Sequence, residues 1–417
     1  VAAVAGYVAV YACGLAGPPI RSDGFSYHVY LPSWFLFHDP TLEALSQDCC
    51  GGRFPQFSGI FRWPGTGQWM NPHPMGVAVL ATPFFLAAHL LTRWSNLSPD
   101  GFSLYYQLLT PVAGVFYLVL GLAFLRRALE RRFSAGVTLQ ALVVLTWGTN
   151  LFHYGTYDSL FSHVFSFCLF AALLLVTPPW LSRPSLERSV ALGAVAGLVV
   201  LTRHTDVLLL LFPALYGITG MRTLRERAAF LRANWGPVLA VFATTAVLLA
   251  PQVALYHRAT GSWLVSPYGS LGSFHFASPR ILDVLASPQK GLFFWSPVLL
   301  LAVAGFFHLP ARAPEIVLPL VVVLPLEVFL VASWSDWQLG GSFGHRAFTD
   351  LLPAFAFGIA ALLARVRRTR MAPVVGTVAA LLVALSVVQM TQYWLRIIPS
   401  KDTSWELYRS VFLRLGR

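Results

Sequence analysis

Long apolar runs recur along this chain, separated by short polar links that carry most of its basic residues, and that alternation constrains the fold more than any single motif. Runs able to cross about 30 Å of hydrocarbon lie at 1–20, 73–92, 102–125, 135–152, 159–179, 236–256, 292–309, 314–333, 346–364 and 372–391, with a longer one at 189–220. Backbone in lipid must satisfy its own hydrogen bonds, so such runs predict helices and an all-α polytopic membrane protein. Composition agrees: of 417 residues 56% are hydrophobic and 11% charged, with a mean hydropathy of +0.65, whereas soluble domains carry about a quarter charged residues. The net charge of +12 does not point to nucleic acid, because Lys and Arg fall in blocks between apolar runs, as the positive-inside bias requires. Four cysteines, Cys13, Cys49, Cys50 and Cys168, show no metal-ligand spacing. Adjacent Cys49 and Cys50 read as poorly placed to bond each other.

Four blocks carry the sidedness: RRALERR (126–132), RPSLER (183–188), MRTLRERAAFLR (221–232) and RVRRTR (365–370). If all four face inside, an even number of crossings separates any two of them. Two spans fit between the first pair, with HYGTYDS (153–159) outside. The run at 189–220 is too long for one span and has the wrong parity for one, so it is expected to enter and return. Its halves meet at TRHTD (202–206), setting Arg203, His204 and Asp206 at an apex in the outer half of the membrane, where charge is costly unless it pairs or lines a cavity. Four further spans leave 257–291 and WSDWQLGGSFGHR (334–346) outside. Parity then allows only one crossing among 73–92 and 102–125. The second ends in a basic block and is taken as the span, with 73–92 lying in the outer leaflet.

The result is one membrane domain of about eleven transmembrane helices, a first outer loop at 21–101 with interfacial helices, and an outer tail at 392–417. The chain opens on Val1, so a short basic cytoplasmic start is expected before it. Residues 1–15 read as a spanning helix rather than a cleaved signal, since no small-residue cleavage site precedes a soluble domain.

This topology gathers polar residues from separate segments at the outer face, the pattern of a pocket between helices. In RSDGFSYHVYLPSWFLFHDPTLE (21–43), Asp23 follows the first helix, precedes a glycine and leads into aromatics suited to an interfacial helix. A partly desolvated carboxylate there suits a general base; the competing role is a helix N-cap. Tyr27 and His28 follow it as substrate contacts. Asp39, before Pro40, reads either as a helix stop or as a site residue. The prolines of NPHP (71–74) hold Asn71 and His73 on extended backbone, and Asp158 and His163 flank the start of another span. Trp337 belongs to a glycine-rich loop able to approach a sugar ring. Arg203, Lys290 and Arg346 are the candidate phosphate readers, with ion pairing or snorkelling as their competing roles. No nucleotide-binding loop, HExxH or paired CxxC occurs, so no cofactor is expected and no divalent metal is indicated.

Taken in order, SDGFSYHVYLPSWFLFHD, NPHPMGVAVLATPFFLAAHLL, YDSLFSHVFSF, VLTRHTDVLL, SPQKGLFFWSPVL and WQLGGSFGHRAFTDLLP resemble the GT-C superfamily of membrane glycosyltransferases. They look most like bacterial glycosyltransferase family 39, the protein mannosyltransferase and aminoarabinose transferase type, over nearly the whole chain. The resemblance implies a GT-C-like fold in the bacterial cytoplasmic (inner) membrane, with its active site facing outside. It implies transfer of a sugar from a polyprenyl-phosphate donor to a glycan, lipid or protein acceptor, with Asp23 as base. Better-known members carry an adjacent acidic pair where this chain has Asp23 and Gly24, which leaves Asp39 or Asp158 as the second carboxylate. The rival readings are a transporter or flippase of a glycolipid, and a non-catalytic glycolipid-binding membrane protein.

Overall fold

The computed structural model describes residues 2–12 and 14–416; Val1, Cys13 and Arg417 lie outside the described residues. About 68% of the chain is helical. The strands among the described residues are one short ribbon, Phe61–Arg62 against Trp69–Met70, antiparallel with Phe61 opposite Met70. Six helices are long and apolar enough to cross a membrane: Gly76–Arg93, Leu104–Glu130, Ser162–Ser182, Trp235–Thr260, Pro314–Ser333 and Ala372–Trp394. The chain is an integral membrane protein. Other runs expected to span are assembled from shorter pieces. Ala135–Gly148 is followed by Leu151–Thr156, and Leu292–Trp295 by Leu299–Phe306 and Leu309–Arg312.

Ser162–Ser182 is the axis of the bundle, buried over most of its length. The helices Leu299–Phe306 and Leu352–Val366 cross closely at Gly305 and Gly358, where a Cβ on Gly305 would lie 1.8 Å from the Gly358 carbonyl oxygen. Glycine is required there so that two helices can meet backbone to backbone. The run at 189–220 is broken as its length demands. Leu186–Thr202 ends at Arg203, whose extended backbone (φ −149°, ψ 126°) breaks the helix, and the chain returns through a 3₁₀ turn, His204–Leu210, and Leu211–Leu215.

Contacts at the two ends of this hairpin fix its direction. Arg203 meets Asp350 at 3.2 Å, while at the far end Gly217 N donates to Glu315 O at 2.8 Å. Glu315 also pairs with Arg132 at 2.6 Å. Arg131 donates to the Leu175 carbonyl, Arg188 to Pro179, Arg227 to Tyr216 and Arg367 to the Ser134 hydroxyl. All four basic blocks therefore collect at one end of the bundle, opposite Arg203.

Gly76–Arg93 has the length of a crossing helix, yet its contacts run beside the other end. A Cβ on Gly76 would lie 2.5 Å from the carbonyl of Leu201, next to the hairpin apex. Farther along, Tyr117 Oη donates to Leu80 O at 3.2 Å, and His89 meets Tyr106 Oη at 2.5 Å. One expectation is corrected: Cys49 and Cys50 are bonded to each other, with Cα atoms 3.8 Å apart. The pair closes the helix Glu43–Cys50 just where Gly51 turns left-handed (φ 59°) and the chain leaves the helix. The shared peptide bond holds their Cα atoms closer than is usual for bridged cysteines, and the two sulfurs still meet at the end of the helix.

Candidate functional site

Asp23 reaches its place through backbone strain. Ser22 takes φ 48°, rare for a residue with a side chain, and Asp23 then opens the helix Asp23–His28. No side chain caps that helix through a hydrogen bond; the Asp23 carboxylate instead receives Arg346 Nη1 at 2.7 Å, with His73 Nε2 at 3.9 Å. About a fifth of the Asp23 side chain remains exposed to a cavity. Burial by itself raises its pKa, but the Arg346 guanidinium, His73 and the hydrogen bond from Arg346 outweigh it and hold the carboxyl below its ordinary value.

The NPHP segment explains how His73 arrives there. Asn71 Nδ2 donates to Ser26 O at 2.7 Å, while its Oδ1 accepts from His73 N at 3.1 Å. Tyr30 Oη adds a bond to His73 O at 2.8 Å. Asn71 is thus a staple between the segment and the Asp23 helix, and His73 is the side chain that projects.

A second charged group stands on the same wall. Arg21 Nη2 meets Asp158 Oδ1 at 2.9 Å, and His153 Nε2 lies 3.0 Å from Asp158 Oδ2. Trp394 Nε1, which can only donate, lies 2.9 Å from His153 Nδ1. That leaves Nε2 to carry the proton and donate to Asp158. Burial pushes the Asp158 carboxyl up, but hydrogen bonding from His153 and the charge of Arg21 prevail and lower it to about 2.

Deeper in, the hairpin apex forms a third cluster. Arg203 Nε faces Asp350 Oδ2 at 3.2 Å and Asp206 Oδ1 at 3.5 Å, and its Nη1 donates to His163 Nδ1 at 2.8 Å. Asp350 Oδ1 lies 3.1 Å from the same imidazole nitrogen.

Two cavities meet at Asp23, His73 and Arg346. The wider, about 860 Å³, is bordered by Arg21, Asp158, Asp336, Arg396 and Lys401. The narrower, about 210 Å³, is bordered by Tyr27, His163 and Arg203 together with Phe274, Leu330, Val331 and Trp334. Beside its apolar wall, Val207, Leu326 and Phe329 are exposed on the surface of the bundle. The site is therefore polar on one side and apolar on the other, with a carboxylate and two guanidinium groups near the junction. Such an arrangement can hold an amphiphile with a phosphate, while a hydroxyl approaches the carboxylate from the polar side.

Of the residues expected from sequence, Asp23, His73, Asp158 and Arg346 border the wide cavity and Tyr27, His163 and Arg203 the narrow one. Others stand elsewhere. His28 is fully buried, with Nε2 2.7 Å from Gly101 O. Asp39 accepts from Thr41 N at 2.8 Å and Ala44 N at 2.9 Å, so it stabilises the start of the helix Glu43–Cys50 and borders neither cavity. Trp337 is buried near His345. Lys290 is buried behind the wall, donating to the carbonyls of Ser400 and Ser342. Burial, with Arg346 and Lys401 close by, pushes its ammonium down to about 7. Sequence reading passed over Arg21, Tyr268, Arg396 and Lys401. The signal for the last two was available: basic residues in an outer tail run against the positive-inside bias. Among the described residues no group of three or more His, Cys, Asp or Glu side chains is placed to hold a metal ion.

Neither a scan against protein-family models nor a search of curated proteins returns a match.

Proposed function

We propose that this protein transfers a sugar from a polyprenyl-phosphate donor to an acceptor hydroxyl at the outer face of the bacterial cytoplasmic membrane, on a GT-C-like fold with about eleven spans. The observation that carries the reading is the position of Asp23 where a polar cavity meets an apolar one, within reach of Arg346 and near Arg203. The resemblance to family 39 rests on the order of short motifs, and the two-sided site is independent of it.

The orientation follows from the basic blocks. Their common end is cytoplasmic by the positive-inside rule, which turns the cavities outward and leaves Gly76–Arg93 interfacial. The donor's isoprenoid lies along Phe274, Leu330 and Val331, its phosphate reaches Arg203 and Arg346, and the sugar stands before Asp23. The acceptor oxygen attacks the anomeric carbon from the side opposite the phosphate. As that bond forms, the acceptor proton passes to Asp23, and the bond to the phosphate oxygen breaks with its electron pair, giving inversion. The guanidinium groups stabilise the charge gathering on the leaving phosphate. Arg346 has a second effect. In the resting site it keeps Asp23 ionised, and when it turns toward phosphate the carboxylate becomes a stronger base. Asp158, on the wall of the wide cavity, is the second carboxylate in preference to Asp39.

The direct test is Asp23→Asn in purified protein supplied with polyprenyl-phosphate sugars. Full retained transfer would remove Asp23 as base.

A further inference from the structure

The wide cavity is bordered by four cations and three carboxylates. Arg21 is matched by Asp158 and Arg346 by Asp23. The remaining cations, Arg396 and Lys401, follow the helix Ala372–Trp394, and among the described residues neither makes an ion pair or a side-chain hydrogen bond. Asp336 is the one carboxylate left against them.

The segment bearing these two cations is tightly held. Trp394 donates to His153 and stacks on Tyr157, with ring centroids 5.6 Å apart. Ile397 N donates to Gln392 O at 2.9 Å, and Ser342 N to Ser400 O at 3.2 Å. Lys290 Nζ binds Ser400 O at 2.8 Å and also the Ser342 carbonyl, joining the segment to the glycine-rich loop. Arg396 itself takes φ 58°, a left-handed conformation that a non-glycine residue keeps only where its surroundings enforce it. A built wall thus presents two unpaired cations to a polar cavity that sets only Asp336 against them. Neither borders the narrow cavity with the apolar wall.

We infer that residues 395–402 form an acceptor-binding lip, and that the acceptor carries a carboxylate or phosphate group close to its reacting hydroxyl. The term acceptor rests on the glycosyl-transfer reading; the anion selectivity does not. Arg396 and Lys401 hold the anionic group, and Lys290 is a positioning residue for the lip.

The test is binding to the purified full chain in detergent, measured by calorimetry. The probes are glucuronate, glucose 1-phosphate, methyl glucoside as neutral control, and citronellyl phosphate as a short lipid phosphate. Wild type should bind at least one charged sugar about tenfold more tightly than the neutral one, the scale of one charge-assisted hydrogen bond. Which charged sugar gains more separates a carboxylate from a phosphate acceptor. The double variant Arg396→Gln/Lys401→Gln should lose the preference while keeping its elution volume, melting temperature and affinity for citronellyl phosphate. Equal wild-type affinity for charged and neutral sugars, no binding of either charged sugar, or a preference surviving in the double variant would overturn the inference. Loss of citronellyl phosphate binding in that variant would also overturn it, by assigning the cations to the donor. Activity of Asp23→Asn bears on the base alone, whereas these affinities are read on protein with Asp23 intact and need no transfer, so the two readings fail separately.

Discussion

At the end of the bundle that carries the basic blocks, Arg126 pairs with Glu130 and Arg222 with Glu226, one helical turn away on the same exposed face. At the opposite end Arg21 reaches Asp158, Arg346 reaches Asp23 and Arg203 reaches Asp350, each across segments distant in sequence and each largely buried. The same side chain therefore has two uses. Exposed local pairs are weak and leave the helix free to present charge to the membrane surface. Buried long-range pairs must justify the loss of hydration for both ions, and here they do so around cavities that a ligand can enter.

The largest effect expected at the cavity end is on chemistry. Asp23→Asn should reduce sugar transfer about a hundredfold or more, the usual scale for a general base, while the protein elutes and melts as wild type. Retained activity would make the buried pairs structural and erase the functional contrast between the ends.

Next comes stability. Asp158→Asn leaves Arg21 and His153 without their anion, and the melting temperature should fall by the equivalent of about 1–3 kcal/mol. Because the folded carboxyl titrates near 2, below its unfolded value, this contribution is fully present above about pH 4 and fades as pH falls toward 2. A wild-type advantage that stays constant on acidification would contradict the pairing.

Lys290 gives an effect of the same slope in a higher pH range. Its folded pKa, about 7, lies below that of an unfolded lysine, so between about pH 7 and 10 the unfolded chain binds the extra proton and folded stability rises with pH. Melting curves of wild type against Lys290→Met should therefore diverge in favour of wild type as pH rises through this window. A flat difference would mean that the amine is charged in the wall. At the other end Arg222→Ala should cost about 0.5 kcal/mol or less, and transfer should not change; a large loss there would break the comparison from the opposite side.

Much of the arrangement was legible in the sequence because membrane insertion obeys local rules. Apolar length marks the helices, Arg blocks mark one end, and the excess length of 189–220 requires the break found at Arg203. His73 was legible for a similar reason, since flanking prolines deny it a helix. Asp39 and His28 were not. A carboxylate that holds the start of the next helix and one that lines a cavity look the same when only their neighbours in sequence are known. Lys290 shows the same limit: its partners are two backbone carbonyls, and carbonyls leave no trace in side-chain identity.

By itself, then, the sequence determined that this chain lives in a membrane, that it is helical, and which polar residues share one end, because each follows from hydrocarbon thickness, backbone hydrogen bonding and charge placement. Only the tertiary structure decided which of those residues meet. Asp23 with Arg346, Asp158 with Arg21 and His153, and the closing of the tail over the wide cavity all depend on helices packing side by side. Ion pairing at about 3 Å is too short-ranged for sequence spacing to specify.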